Sequence, residues 1–242
     1  MQQQPFVSVI TPTYNRRTFI PILIEIYKNQ TYAKDKMEWI ILDDGTDKVE
    51  DLFIEAAKKI PNIKYIYDSE KKTIGAKRNR LNEEAKGDII VAMDDDDYYP
   101  PTKVATIVTA FNKNPKINLA GSSQMYLYYT SDKKIYSVGP YNPNHATNGT
   151  MSYRKKYTKT NKYNEYVTHA EEMQFLENYK NQMIQVDPRK SILVICHTDN
   201  TFDKDQLRTN DKYRNNPLFK ETTFKLRDFV GESKIRDFYS HL

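Results

Sequence analysis

Four consecutive aspartates, Asp94 to Asp97, follow the apolar run Ile89-Ile90-Val91-Ala92-Met93 and lead into Tyr98-Tyr99-Pro100-Pro101. A β-branched run bounded by a turn reads as a buried strand. Carboxylates this close repel one another, so cations or deep solvation must hold them. In an extended chain alternate side chains share a side, which pairs Asp94 with Asp96 and Asp95 with Asp97. An Asp-x-Asp pair at a strand end can grip a hard divalent cation through oxygen. The plain alternative is a solvated acidic turn or a helix start, where aspartate is also favoured.

The elements that must position these residues alternate through the first half. Strands are expected at Phe6 to Thr11, Glu38 to Leu42, Ile63 to Tyr67 and Ile89 to Met93. Helices are expected from Thr18 to Asn29, from an Asp47 cap to Ile60, from Ile74 to Lys86, and from Pro101 to Asn112. The Asp47 cap has Glu50 three residues on, as in a capping box. This spacing calls for an α/β fold with a parallel sheet flanked by helices. Ligands then bind beyond the carboxyl ends of the strands. Three polar clusters fall there: Thr11-Pro12-Thr13-Tyr14-Asn15-Arg16, Asp43-Asp44-Gly45, and the aspartate run. Three on one edge point to a single site. The helix opening at Gly75-Ala76-Lys77-Arg78-Asn79 adds a backbone able to approach a ligand and positive charge for a diphosphate.

Beyond about Asn114 the pattern loosens. Leu119 to Tyr129 and Ile135 to Val138 read as longer, paired strands, and Pro140 to Tyr166 as a basic loop or a phosphate-attracting lid. A helix from about His169 to Asn181, a strand from Ile192 to Cys196 and an amphipathic helix around Leu218 to Phe229 complete the expectation. A single domain is then expected to divide at about residue 115 into residues 1–115, with the regular alternation, and residues 116–242, ending in a helical tail.

Composition excludes several classes. A net charge of +5 spread over 242 residues does not resemble a nucleic-acid-binding protein. The single cysteine, Cys196, rules out an intramolecular disulfide and cysteine zinc clusters. No apolar run is long enough to span a membrane, and no secretory leader is evident, so a cytoplasmic location is expected.

The ordered motifs Val7 to Arg16, Ile41 to Asp47, Gly75 to Asn79 and Met93 to Asp97 resemble glycosyltransferase family 2. The resemblance covers Pro5 to Pro101 in detail and implies the GT-A fold, a Rossmann-like, mostly parallel mixed sheet in a single domain. It implies an inverting enzyme that uses a UDP-sugar and Mn²⁺ (or Mg²⁺), with a glycan, lipid or protein-linked hydroxyl as acceptor. By that resemblance Thr11, Thr13, Tyr14 and Arg16 contact the nucleotide, and Asp43 or Asp44 accepts a hydrogen bond from the base. Lys77 and Arg78 lie near the diphosphate. Asp96 coordinates the metal, Asp94 contacts the ribose or a metal-bound water, and Asp95 lines the same corner. His197 matches a late histidine that completes the metal site in many relatives. Glu171-Glu172-Met173-Gln174-Phe175 matches the acidic pair that opens a helix and supplies the general base, with Glu172 first and Glu171 second. The usual aspartate of that pair is glutamate here. Two other readings remain at this level: a non-catalytic nucleotide-sugar or glycan-binding module, and a sugar-phosphate nucleotidyltransferase. The second lacks the glycine-rich loop it would need after the first strand.

Overall fold

The computed structural model describes residues 4–167, 171–198, 200, 204–209 and 216–242. Its first half follows the expected alternation. Strands β1 (Val7–Thr13), β2 (Met37–Asp43), β3 (Ile63–Tyr67) and β4 (Ile89–Ala92) pair in parallel in the order β3-β2-β1-β4. Every residue of β1, β2 and β4 is buried, as befits strands covered on both faces. Helices α1 (Ile20–Lys28), α2 (Glu50–Ala57), α3 (Ile74–Glu84) and α4 (Lys103–Lys113) make the connections. In α4 the residues Val104, Ile107, Val108 and Phe111 are buried, the helical spacing of one apolar stripe. α3 differs: it buries Lys77, Arg78, Asn79 and Asn82 beside Leu81. A helix that turns polar side chains inward has to find partners for them there.

From β1 the chain moves outward to β2 and β3, then returns to place β4 on the other side of β1. The strand order therefore reverses between β1 and β4, where an open α/β sheet leaves a crevice. Arg16 and the aspartate run flank that point.

The second half extends the same sheet. β5 (Leu119–Gly121), β8 (Ser152–Arg154) and β9 (Met183–Gln185) continue it as β4-β8-β5-β9, with β8 antiparallel to both neighbours. The seven-stranded sheet is thus mixed, mostly parallel, and runs unbroken past residue 115. A second sheet has the order β10-β6-β7-β11, from β6 (Met125–Tyr129), β7 (Lys134–Val138), β10 (Leu193–Cys196) and β11 (Phe219–Glu221).

Several expectations are corrected. The long strand expected over Leu119 to Tyr129 is two strands in two sheets, broken at Ser122–Gln124, where the Ser122 hydroxyl bonds back to the Gln124 carbonyl at 2.6 Å. The basic stretch after Pro140 contains β8, whose Ser152 and Tyr153 are fully buried. Three central residues are too few to show a period. The helix expected from His169 begins outside the described residues, and its described part is a single turn, α5 (Glu172–Phe175). Glu177, Asn178 and Tyr179 then take φ values of 50°, 55° and 62°, which no right-handed helix can continue. The helix expected around Leu218 to Phe229 is β11 followed by a 3-10 turn. The helical parts of the tail are α6 (Gln206–Thr209) and α7 (Ser233–Ser240), whose Phe238 meets Phe19 edge-on at 5.7 Å. Asp47 does not cap α2. Asp43 Oδ2 accepts from Val49 N instead, at 3.2 Å, and Asp47 pairs with Arg17 at 2.9 Å. Among the described residues no helix is long and apolar enough to cross a membrane.

Candidate active site

The strand ends at Ala92 and the chain bends, so the expected alternation of the aspartates does not hold. Asp95 and Asp96 share Arg16, while Asp94 and Asp97 each have neighbours of their own. Asp94 Oδ1 accepts from Arg78 Nη1 at 3.1 Å, and its backbone N–H donates to the Tyr99 hydroxyl at 2.7 Å. Asp95 lies 3.9 Å from Arg16 Nε. Asp96 Oδ2 lies 3.9 Å from Arg16 Nη2 and 3.2 Å from both His197 Nε2 and Asn200 Nδ2. Asp97 turns inward, and its Oδ1 accepts from Ile195 N at 2.8 Å.

That last bond explains how His197 arrives. Tyr98 bridges Leu193 on β10 through backbone bonds of 3.1 and 2.9 Å, and Asp97 holds Ile195. The strand is thereby clamped to the end of β4, and two residues beyond Ile195 the chain delivers His197 to Asp96. Phe19 covers the imidazole, with ring centroids 4.7 Å apart.

The repulsion foreseen for four adjacent carboxylates is relieved in two ways. Burial first, and the Asp96 charge second, push Asp95 and Asp97 up to about 8. Burial would raise Asp96 too, but the His197 hydrogen bond and the Lys204 charge hold it down to about 2. Of these three, the carboxylate favoured in its charged form is the one beside the histidine. Lys204 is raised by Asp97 and Asp96 against the opposing effect of burial. Lys103 lies fully buried nearby, 4.2 Å from the Tyr99 ring centre, and donates to the Gly149 carbonyl at 2.8 Å. Burial lowers its amine to about 7, with Asp94 and Asp97 pulling the other way.

Two ligands in adjacent positions around an octahedral cation, at about 2.1 Å each, stand about 3.0 Å apart. The 3.2 Å between Asp96 Oδ2 and His197 Nε2 fits that separation. Among the described residues no group of three His, Cys, Asp or Glu side chains is arranged to hold a metal. Asp94 does not join the pair because Arg78 has it. A cation held by two side chains has room for phosphate oxygens and water, the usual company of Mg²⁺ at nucleotide sites.

On the nucleotide side four of the expected contact residues have partners within the protein. Thr11 is fully buried and its hydroxyl accepts from Trp39 Nε1 at 3.0 Å, so it belongs to the sheet interior. Asp43 is spent on Gly45 N (2.8 Å), Val49 N (3.2 Å) and the Tyr65 hydroxyl (2.6 Å). Asp44 is spent on Lys77 Nζ and Lys72 N, each at 2.7 Å, and its side chain is fully buried. Lys77, which also donates to the Thr13 carbonyl at 3.1 Å, neutralises Asp44 instead of standing open to a diphosphate.

The start of α3 is also covered. Thr73 caps it by accepting from Ala76 N, and a Cβ at Gly75 would overlap the carbonyl of Asn164. The close approach that glycine permits is made by the chain itself. Tyr14 is half-buried, with Lys71 Nζ 4.1 Å from its ring centre, and the Arg16 side chain is 16% exposed. The Thr13 hydroxyl is buried, and its hydrogen bond favours the charged form of Asp95 against the effect of burial.

Arg78 unites the site. Its Nε donates to Glu171 Oε1 at 2.9 Å and its Nη1 to Asp94. With its amide oxygen turned inward, Asn148 accepts from Nη2 at 3.1 Å. The guanidinium thus joins α3, the end of β4, the loop before β8 and the start of α5. It pairs with Glu171 and not with Glu172, whose carboxyl is raised by burial first and by Glu171 second. A carboxylate with raised proton affinity suits proton abstraction near neutral pH. Sequence reasoning missed Asp97, Lys103, Asn148, Asn200 and Lys204. Asn200, three residues after His197, carried the only local signal.

The sequence matches the profile described as "Glycosyl transferase family 2" over residues 8–176. The chain belongs to that family. An uncharacterized glycosyltransferase of Haemophilus influenzae is 32% identical over 141 residues, 54% of this chain and 56% of the relative. The chain spans about a third of the length of other curated relatives it matches. Among solved structures, Staphylococcus aureus TarS 1–349 in complex with UDP-GlcNAc superposes with a TM-score of 0.67 at 17% identity, covering 81% of this chain and 60% of TarS 1–349. A mannosyltransferase from Pyrobaculum calidifontis in complex with GDP-Man and Mn²⁺ gives 0.65 at 15%, covering 83% and 59%. The fold is the family's GT-A fold, and the family's activity is glycosyl transfer.

Proposed function

We propose that the protein is a metal-dependent, inverting glycosyltransferase that moves a sugar from a UDP-sugar to a hydroxyl acceptor. The observation that carries this reading is the pairing of one ionised aspartate, Asp96, with His197 at 3.2 Å, while Arg78 occupies Glu171 and leaves Glu172 unpaired by it. Asp96 and His197 would hold Mn²⁺ or Mg²⁺. When bound, such a cation neutralises the charge that accumulates on a departing diphosphate. Arg16, 3.9 Å from both Asp95 and Asp96, would lie near that charge. Tyr14 offers the stacking face for the base, and uridine is the base to test first.

Glu172 acts as general base. The acceptor oxygen bonds to the anomeric carbon as the bond from that carbon to the β-phosphate oxygen breaks. The hydroxyl proton passes to Glu172, and the electron pair leaves on the nucleoside diphosphate. One displacement inverts the anomeric centre. Residues 1–115 supply the nucleotide side of this site and residues 116–242 the acceptor side.

A panel of UDP-sugars tests the reading, with hydrolysis and transfer followed with and without Mn²⁺. Turnover should require the metal and fall in Asp96→Ala and Glu172→Gln. Metal-independent turnover, or turnover unchanged in Asp96→Ala, would defeat it.

A further inference from the structure

The tail of the chain meets the acidic corner at two points that the mechanism above does not use. Glu232, at the start of α7, accepts from the Tyr98 hydroxyl at 3.1 Å, and Tyr98 is the first residue after the aspartate run. Near the other end of α7, Phe238 meets Phe19 edge-on, with centroids 5.7 Å apart and planes at 83°. The helix also buries Ile235 and Tyr239, so it is packed down on the domain.

These contacts converge on Phe19. It stands at the turn before α1 and is 3% exposed. Its backbone is fixed there: the N–H donates to the Arg16 carbonyl at 2.9 Å, and the carbonyl accepts from Ile22 and Leu23, each at 3.0 Å. Its ring centre lies 4.7 Å from that of His197, with planes 34° apart, and 5.9 Å from the Arg16 guanidinium carbon. One phenyl ring therefore packs beside both the imidazole at Asp96 and the arginine shared by Asp95 and Asp96.

The His197 backbone is held separately. Its N–H donates to Asn200 Oδ1 at 2.9 Å, and Asn200 Nδ2 reaches Asp96 Oδ2 at 3.2 Å. A backbone bond places the Cα without fixing the ring plane, because the last torsion of a histidine has a broad profile. Packing has to supply that restraint, and a ligating group must be held to about 0.5 Å and 10–20°. The His197 side chain is 4% exposed, so the phenyl against it limits its rotation. A phenyl ring does this without spending either imidazole nitrogen on a hydrogen bond.

We propose that Phe19 is a positioning residue for His197, and that α7, through Phe238, seats the Phe19 ring, so that the tail of the chain sets the affinity of the Asp96–His197 pair for a divalent cation. This inference rests on that pair holding the cation, and it adds what holds the pair.

Electron-spin-echo spectroscopy of Mn²⁺ bound to the full chain with UDP reads the imidazole directly, through its nitrogen coupling. The resonance of free Mn²⁺ in the same samples gives the affinity. The wild-type chain should show the coupling, and His197→Ala should abolish it. Phe238→Ala should weaken Mn²⁺ binding about two- to tenfold, the range of one aromatic pair, and reduce the nitrogen coupling. Phe19→Ala should cost about ten- to a hundredfold, the scale of a lost supporting contact behind a metal ligand. Phe238→Tyr keeps the ring and should restore wild-type affinity. In a His197→Ala background Phe238→Ala should have no further effect, since it acts through the imidazole. Phe238 is only half-buried, so its variants test the proposal even if Phe19→Ala fails to fold. Unchanged affinity and coupling in Phe238→Ala, or an equal loss with and without His197, overturns the inference and leaves the metal site standing. A wild-type spectrum without nitrogen coupling overturns His197 as a ligand, and this inference with it.

Discussion

Replacing Arg78 by methionine distinguishes a residue that holds the site together from one that holds the nucleotide. Methionine keeps much of the side chain's reach without the charge. The guanidinium is 7% exposed and bonds Glu171, which is 9% exposed, and Asp94, which is 24% exposed. Removing one partner of a buried pair costs about 3–5 kcal/mol, because the other charge stays behind in a dry site. The Asp94 share is smaller, toward the ~1 kcal/mol of a screened pair, because water reaches that carboxylate. We expect a loss of about 4–6 kcal/mol in all, or roughly 8–24 °C in Tm at 2–4 °C per kcal/mol. Urea unfolding followed by the fluorescence of the single tryptophan, Trp39, measures it. Adding Glu171→Gln removes the stranded charge and should restore about half of the loss. UDP affinity at a temperature where the variant is folded should fall by less than about threefold, since no Arg78 donor faces outward. A loss below about 1 kcal/mol, the level of an exposed pair, combined with a drop of UDP affinity beyond tenfold, would return Arg78 to the diphosphate.

Glu172→Gln should leave UDP binding intact and lower transfer about a hundredfold or more, whereas Glu171→Gln should act mainly on stability; the reverse pattern in paired calorimetry and turnover assays moves the base by one residue. Burial and Glu171 raise the Glu172 carboxyl, and a base works deprotonated. Turnover should therefore decline as pH falls through a limb lying above that of an ordinary glutamate, and Glu172→Gln should abolish that limb. Asp96→Asn and His197→Ala should each weaken Mn²⁺-dependent UDP binding while leaving metal-free binding unchanged, and a titration in which the Mn²⁺ dependence survives both contradicts the assignment. Thr11→Val strands the Trp39 indole N–H in the sheet and should cost about 1–3 kcal/mol of stability. It should leave UDP affinity unchanged, and an affinity loss without destabilisation would place Thr11 back at the nucleotide.

The first half of the fold was legible because its strands are uninterrupted apolar runs separated by complete helices, so each period declares itself. The acidic corner was legible for a related reason: four carboxylates at a strand end have few physical uses. What the sequence concealed was the direction of each carboxylate, since the bend after Ala92 cancels the two-residue alternation. It also concealed internal neutralisation. Asp44 and Lys77 are 33 positions apart, and Arg78 and Glu171 are 93 apart, so no local pattern reveals that they satisfy one another. The same holds for Thr11, whose partner is an indole on the neighbouring strand. β8 escaped because Ser152-Tyr153-Arg154 has neither length nor apolar character, although it occupies the middle of the sheet. The acidic pair Glu171-Glu172 was found from the family resemblance, but only the guanidinium contact separates their roles.

The placement of β8 also governs the order in which the molecule can assemble. β4 leaves the ribosome with one edge paired to β1 and the other edge waiting for residues 152–154, with β5 still further out in the sheet yet earlier in the chain. Until about sixty more residues have been synthesised, that edge is a row of unsatisfied amides, the kind of surface that recruits other chains. Non-local pairing of this sort slows folding. Chains arrested shortly after β5 should therefore bind chaperones or aggregate, whereas chains arrested beyond β9 should not, and protection from exchange of the β4 amides that face β8 should appear no earlier than that of β8 itself.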